Sequence, residues 1–376
     1  MNERQLLRPA WAEVDLAAFR TNVETVANIV PDTTKVMPVI KANGYGIGAT
    51  MAARAVQNLR KVAGFAVATP EEALALRDDG IDGTILVLGP CTHRAMALLA
   101  YRNISVAVAS VHGLKDARSA ARDVGVNLKI HLKIETGMGR VGIQPGHDLN
   151  SVIRELKEGS EVEVEGVFTH FSAADVDKAY TEKQFAAFTE ALSQLEQSGI
   201  RPRYRHASNS AAILDFPESH LDMVRPGIVI YGSFPDESLE GRAEIRPVLS
   251  LYAQVTHVKT VPEGSTIGYG RTYTVESPTT IATIPIGYAD GYPRLLSGKG
   301  EVLLNGKRYP IAGRVCMDQT MIDVGSDPVK PGDKVTLIGT DGSETITVDD
   351  VARLSQTIAH EVLTGLTSRV PRVYIS

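Results

Sequence analysis

Residues 65–89 read FAVATPEEALALRDDGIDGTILVLG, which is one complete strand, helix, strand unit. The apolar run 65–69 has strand character, and Thr69-Pro70-Glu71-Glu72 supplies an N-cap, a proline at the first helical position and acids in the first turn. Ala73, Leu74 and Leu76 carry the helix, Asp79-Gly80 stops it, and 84–89 is the next strand. On either side the same alternation of Val- and Ile-rich runs with segments of helical period extends from Lys35 to Gly232. The runs are 36–40, 65–69, 84–89, 104–109, 128–135, 164–171, 204–207 and 223–231, the number that a (β/α)8 barrel requires. A further helix is expected from about 181 to 197, with Phe185, Phe188 and Leu192 at helical spacing and Ser198-Gly199 closing it.

After about Pro235 strands follow one another through Gly and Pro turns. They are expected at 249–261, 280–286, 301–304, 311–315, 321–324 and 334–338, with helical character only at 348–354 and in a turn near His360. The fold class is therefore α/β, a TIM-type (β/α)8 barrel over residues 1–240 followed by a mainly-β domain over 241–376.

Composition narrows the function. With 376 residues, 43% hydrophobic and 22% charged, the chain has the balance of a soluble globular protein, and no apolar run approaches a bilayer span. Lys+Arg 39 against Asp+Glu 44 gives a net charge of −5 without a basic stripe, which argues against a nucleic-acid partner. Residues 1–10 carry Arg4 and Arg8 but no apolar core of a secretory signal, so a cytoplasmic protein is expected. Cys91 and Cys316 are far apart and belong to no ligand-spaced pair; they read as reduced packing residues, and no metal site is expected.

Barrel active sites gather where strands end at their C-terminal side. Those positions hold Lys41, Lys133 with Arg140, His170, Asn209 with Ser210, and Arg225 followed by Pro226-Gly227-Ile228. Any one of them is also what a solvated strand end carries, and a lysine there readily snorkels to water. Together they favour a site for an anionic ligand, with Gly227 and Ile228 in the last strand region, where barrels bind phosphate through backbone N–H groups.

Val-Ile-Lys-Ala-Asn-Gly-Tyr-Gly (39–46) resembles the cofactor-lysine motif of the alanine racemases. His-Leu-Lys-Ile-Glu-Thr-Gly-Met-Gly-Arg (131–140), Met-Val-Arg-Pro-Gly-Ile (223–228) and Ile-Gly-Tyr-Gly-Arg-Thr-Tyr (267–273) are similar to further segments of that family, in its order. So are Gly-Tyr-Ala-Asp-Gly-Tyr-Pro-Arg (287–294), Gly-Arg-Val-Cys-Met-Asp (313–318) and Arg-Val-Pro-Arg (369–372). The resemblance implies an isomerase with pyridoxal 5'-phosphate on Lys41, which acts as the base on the D-face, and with Tyr269 as the base on the L-face. A lysine and a tyrosine both ordinarily titrate near about 10, so work at neutral pH needs neighbouring charge or hydrogen bonds. The family places His170 and Arg225 in that neighbourhood.

By the same resemblance Arg225 faces the pyridine nitrogen, and Tyr45, Ser210, Gly227 and Ile228 contact the cofactor phosphate. Asn209 and His170 belong to the cofactor site, while Arg140, Tyr288 and the Met317 amide serve the substrate carboxylate. Lys133 matches a lysine carbamylated in many members. The implied partners are a small amino acid and a second copy of the chain, in a homodimer with shared active sites, and the implied role is D-alanine supply for peptidoglycan. Gly44, Ile47, His360 and Ser368 depart from the commonest pattern, which opens the reading to a serine or broad-specificity racemase. Three rivals remain: a pyridoxal phosphate decarboxylase, against which the Tyr269 motif argues; a noncatalytic cofactor carrier, which lacks the β-domain; and a metal- or sugar-handling barrel, which leaves Lys41 and Arg225 incidental.

Overall fold

The structure, a computed structural model, describes residues 6–376. Residues 1–5, and with them part of the stretch read for a secretory signal, lie outside the described residues. The chain forms two compact units, one of residues 20–44 and 49–245, the other of the residues up to Phe19 with 45–48 and 246–376.

In the first unit Gly64–Val67, Thr84–Val87, Ser105–Val108, Leu128–Lys133, Val162–Phe168 and Tyr204–His206 pair in parallel in chain order. Lys35–Val36 pairs in parallel with Met223–Val224 and, through bridges from Val36 to Val62 and Val39 to Ala66, joins the start of that series. Asp222 N donating to Arg205 O (3.2 Å) and Arg225 N donating to Ser208 O (3.0 Å) join its end. Eight strands thus close into a barrel. The Thr69 hydroxyl accepts from Glu72 N while the Glu72 carboxylate accepts from Thr69 N, so helix Pro70–Asp78 opens on a full capping box. Helix Lys178–Gln197 begins three residues before the expected 181, because Asp177 caps it by accepting from Tyr180 N (2.9 Å).

The run 223–231 is not one strand. Pro226 has no N–H to donate, and the chain leaves the barrel wall to form a short 3-10 helix at Ile228–Tyr231.

The second unit is mainly β. Its large sheet runs Lys307–Pro310, Glu301–Leu304, Lys334–Asp341, Leu249–Gln254, Ala10–Asp15, Arg372–Ile375, with Glu344–Ile346 paired to Lys334–Asp341. Ala10–Asp15 lies antiparallel to Leu249–Gln254 and parallel to Arg372–Ile375, with Trp11 against Tyr252 and Val373. The N-terminal strand thus lies in the same sheet as the C-terminal strands, so this unit is built from both ends of the chain. A second sheet holds His257–Val261, Thr279–Ile284 and Thr320–Gly325.

The expected strand 249–261 divides between the two sheets, because Val255 N turns to Asp333 O (2.9 Å) and Thr256 N to Thr283 O (2.8 Å). No strand forms over 311–315; Ile311 makes one bridge to Ile322, and Gly313 turns at φ 79°. Helices occupy Val348–Leu354 and Ala359–Gly365. Among the described residues no helix is long and apolar enough to cross a membrane.

Candidate active site

Lys41 stands where the first barrel strand ends. Ala42, Asn43 and Gly44 follow in left-handed helical geometry, with φ of 51°, 54° and 63°, and Gly44 N donates to Ile40 O at 2.8 Å. An L-residue pays about 1–2 kcal/mol to enter this region, so two non-glycine residues in succession must be held there. Asn43 Oδ1 accepts from Ala49 N (3.1 Å) and Glu72 Oε1 accepts from Ala42 N (2.6 Å). The second oxygen of Glu72 accepts from Ala68 N (2.7 Å) and Thr69 N (3.3 Å), which ties the Lys41 turn to the end of the next strand. Burial lowers the Lys41 pKa, the charge of Arg140 lowers it further, and Glu72 opposes both.

Arg225 is 4% exposed, and among the described residues no carboxylate pairs with it. Its Nη2 donates to Thr169 O (2.7 Å) and Ala207 O (2.9 Å), and its Nη1 to His206 Nδ1 (2.7 Å). Burial brings its pKa down to about 9, which still leaves it a cation at neutral pH. His170 Nδ1 lies 3.5 Å from Arg225 Nη2. Burial, then Arg225, Lys133, Arg140 and Lys41, hold the His170 pKa well below its ordinary value. Lys133, 5% exposed, donates to Ile134 O (3.1 Å) and lies over the Phe168 ring, 5.4 Å from its centroid. Its pKa falls to about 7, through burial and then repulsion from Arg225, with Glu135 opposing and Arg140 adding to the fall. The loop that carries Arg140 is clasped by Glu135, whose Oε1 accepts from Gly137 N (2.7 Å) and Gly139 N (3.0 Å).

Asn209 caps helix Ser210–Asp215, its Oδ1 accepting from Ala212 N at 3.1 Å. Ser210 Oγ accepts from Gly227 N (2.9 Å) and Val229 N (3.5 Å), which leaves its own proton to donate. Ile228 is buried, and among the described residues its amide donates to no backbone or side-chain group. A buried N–H in that condition, next to an available hydroxyl, suits an oxyanion such as phosphate.

In the β unit Tyr269 rides on a tight turn between Thr266–Ile267 and Tyr273–Thr274, with Gly268 and Gly270 at φ 72° and 73°. Tyr288 N donates to Cys316 O (3.0 Å) and Ala289 N to Met317 O (3.0 Å), so the Tyr288 and Met317 loops are joined by their backbones. A Cβ at Gly287 would lie 2.2 Å from Cys316 O, and only glycine permits that approach. Asp290, fully buried, accepts from Gly287 N (3.0 Å) and pairs with Arg8 (2.7 Å) and Arg369 (3.3 Å). Tyr269, Tyr288 and Met317 are nonetheless 70%, 40% and 51% exposed. Segment 45–48 belongs to this unit, where Arg372 donates to Gly46 O (2.8 Å). Tyr45 is buried, its pKa raised to about 12 by that burial, and its ring lies 5.6 Å from that of His360.

The barrel thus brings Lys41, Lys133, Arg140, His170 and Arg225 within electrostatic reach of one another. The β unit joins Tyr288 to Met317 through backbone hydrogen bonds. Sequence reasoning passed over Glu72, Glu135, Phe168, His206, Asp290 and Arg372. Glu72 carried a signal as the third residue of a capping box, and Glu135, Asp290 and Arg372 lie within segments 131–140, 287–294 and 369–372 that resemble the family; for Phe168 and His206 only the folded chain supplies the partner.

The family model described as alanine racemase, N-terminal domain, matches residues 14–235, and the one described as alanine racemase, C-terminal domain, matches 248–374. An alanine racemase of Methanococcus maripaludis is 43% identical over 371 residues, covering 98% of this chain and 99% of its own. The crystal structure of alanine racemase from the D-cycloserine producing Streptomyces lavendulae superposes with a TM-score of 0.94 at 39% identity, covering 99% of this chain and 98% of its own. Alanine racemase from Bartonella henselae, a structure with covalently bound pyridoxal phosphate, superposes with a TM-score of 0.87 at 30% identity, covering 98% and 99%.

Proposed function

Since the chain belongs to the alanine racemase family, whose members depend on pyridoxal phosphate, we propose that it interconverts L- and D-alanine, with Lys41 holding the cofactor and Lys41 and Tyr269 exchanging the Cα proton on opposite faces. The observation that carries this reading is the lysine of lowered pKa at a strand end, set among Arg140, Lys133, His170 and the unpaired cation Arg225. The barrel fits the cofactor. Ser210, with a proton to donate, and the Ile228 amide suit its phosphate, Asn209 fixes the helix that bears Ser210, and the Gly227 amide holds Ser210 by donating to its Oγ; Tyr45, by the resemblance a further phosphate contact, keeps its hydroxyl proton because burial raises its pKa. When bound, the cofactor supplies an electron sink that makes the substrate Cα–H acidic enough to transfer.

The chain's own residues do the rest. A lowered pKa makes Lys41 easier to deprotonate, as a base needs, and Tyr269 presents a phenol from a tight turn. Arg140 offers a planar guanidinium to the substrate carboxylate, and by the family resemblance the Met317 amide and Tyr288 serve the same group. Arg225 would hold a positive charge toward the pyridine nitrogen, with its Nη1 fixed by His206 and its Nη2 by the Thr169 and Ala207 carbonyls. Lys133, with its pKa near 7, has the neutral amine that adds to carbon dioxide, forming a carbamate and releasing one proton. That change turns repulsion of Arg140 into attraction.

The exposed Tyr269, Tyr288 and Met317 support a homodimer in which the partner subunit's Tyr269 completes each barrel site. Such an enzyme would work in the cytoplasm and supply D-alanine for peptidoglycan. A serine or broader racemase is the second reading, favoured by His360 beside Tyr45, where the family usually has tyrosine. The test is Cα deuterium exchange with L-alanine and L-serine in D2O, following chiral products. Racemisation with solvent deuterium supports the reading and ranks the substrates. No exchange with either amino acid, with cofactor bound at Lys41, overturns it.

A further inference from the structure

The interior of this barrel holds a polar chain that the mechanism above does not use. Barrel interiors are ordinarily layers of branched apolar side chains, and an unsatisfied polar group there costs several kcal/mol. Here Ser105, His131, Glu165 and His206, all on barrel strands, are 2%, 0%, 3% and 0% exposed. Ser105 Oγ donates to Glu165 Oε2 (2.6 Å), and His131 Nε2 lies 3.2 Å from the same oxygen. His131 Nδ1 is 2.8 Å from His206 Nε2, and His206 Nδ1 is 2.7 Å from Arg225 Nη1.

The protons in this chain can be assigned from both ends. A guanidinium only donates, so His206 Nδ1 must accept, and its single hydrogen sits on Nε2. That hydrogen is donated to His131 Nδ1, which must be bare, and the His131 hydrogen therefore sits on Nε2. An ionised carboxylate only accepts, and Glu165 meets that requirement; burial raises its pKa, but the hydrogen bonds from His131 and Ser105 hold it below the ordinary value. Lys129 favours the same ionised form, while Lys133 and Arg225 disfavour an extra proton on His206.

Packing fixes the rings in this arrangement. Phe168 stacks on His206 at 4.9 Å and 5°, and Arg225 lies over the Phe168 ring at 5.4 Å. A Cβ at Gly166 would lie 2.2 Å from His131 Nδ1, so the residue after Glu165 leaves room for that ring only as glycine.

We infer that Glu165 is a positioning residue for Arg225, acting through His131 and His206 in a chain of fixed donor and acceptor direction that begins at the cofactor-facing guanidinium and ends on the carboxylate. The inference rests on the reading of Arg225 as the cation opposite the cofactor ring. Without an acceptor at position 165 the His131 Nε2–H is left unsatisfied, the pair can escape only by changing tautomer or orientation, and either change presents a donor to Arg225 or moves it.

The experiment is two-bond ¹H–¹⁵N correlation on the holoenzyme labelled in its histidines, for wild type, Glu165→Gln and Glu165→Leu, with kcat and KM measured on the same samples. Wild type is expected to show His131 and His206 each protonated on Nε2 alone. Glu165→Gln, whose amide oxygen still accepts, keeps that pattern and most of kcat. Glu165→Leu loses the single tautomer pattern and on the order of tenfold or more in kcat with little change in KM, because a displaced group costs the chemical step more than binding. A proton on Nδ1 of either ring in wild type overturns the inference, and that reading needs no variant to fold. So does a Glu165→Leu enzyme with wild-type spectrum and kcat. Absence of racemisation in wild type, with the expected tautomers present, would instead strike the proposed function and leave the chain of hydrogen bonds standing.

Discussion

The two units solve the same problem of holding a reactive group in opposite ways. In the barrel, Lys133, His170 and Arg225 are enclosed, their proton affinities shifted by burial and by each other before any ligand arrives. In the β unit, Tyr269, Tyr288 and Met317 stand exposed, fixed by backbone hydrogen bonds and glycine turns with their side chains still in water. The barrel residues are tuned within their own fold. The β-unit residues are only presented, and the proposed homodimer would supply the surface that gives them a dry environment.

The largest effect expected from this contrast is at Lys41. On the proposed roles, Lys41→Ala removes the cofactor attachment and the D-face base together, so kcat/KM should fall by roughly 10³-fold or more, with Cα exchange of D-alanine lost. Tyr269→Phe should cost roughly 10²- to 10³-fold in racemisation, yet Cα exchange of D-alanine should persist if Lys41 serves that face as proposed. A Lys41→Ala enzyme that still exchanges D-alanine would break the assignment.

Mixing the two inactive variants sharpens the comparison further. If the partner's Tyr269 completes each site, random reassociation makes half the dimers mixed, each with one site free of both substitutions, and activity should recover to about a quarter of wild type. If each chain completes its own site, mixing should recover nothing.

A smaller effect separates the barrel from the β unit by pH. His131, His170 and His206 have pKa values lowered by burial, first and foremost. Above about 6.5 these histidines are neutral both folded and unfolded and contribute nothing to the pH dependence. As pH falls below that value the unfolded chain binds protons that the folded chain refuses, so each histidine lowers stability by up to about 1.4 kcal/mol per pH unit until its folded pKa is reached. Urea unfolding of the holoenzyme between about pH 7 and about pH 5 should therefore show stability falling with acid, and His206→Asn should flatten the slope.

How much of this was legible in the sequence follows from what each feature depends on. The eight runs, the capped helix after Thr69 and the helix before Ser198 are local patterns, and they mark the barrel. Lys41, Lys133, His170 and Arg225 were also visible, because a strand's end in a barrel is where a site must be. Features that depend on distant partners were not. Ala10–Asp15 joins the sheet only because Leu249–Gln254 and Arg372–Ile375 flank it, and the break at Val255 exists only because Asp333 and Thr283 supply new acceptors. Glu165 and His131 alternate with apolar neighbours as any strand residues do, and nothing local says that their side chains meet.

The smallest expected effect concerns substrate choice, and it comes from the departure at His360, whose ring packs against a proposed cofactor contact. Tyr45 and His360 pack ring to ring within the β unit, 5.6 Å apart and inclined at 45°. Imidazole is smaller than phenol and carries a ring nitrogen able to donate or accept where phenol has a hydroxyl further out. His360→Tyr extends a longer side chain from the same helix, Ala359–Gly365. It should therefore lower kcat/KM for L-serine relative to L-alanine by several-fold, within the 1–3 kcal/mol that pocket shape ordinarily commands, while Cα exchange with L-alanine changes little. An unchanged serine-to-alanine ratio would assign His360 to packing against Tyr45 alone, and substrate choice would then rest with residues elsewhere in the site.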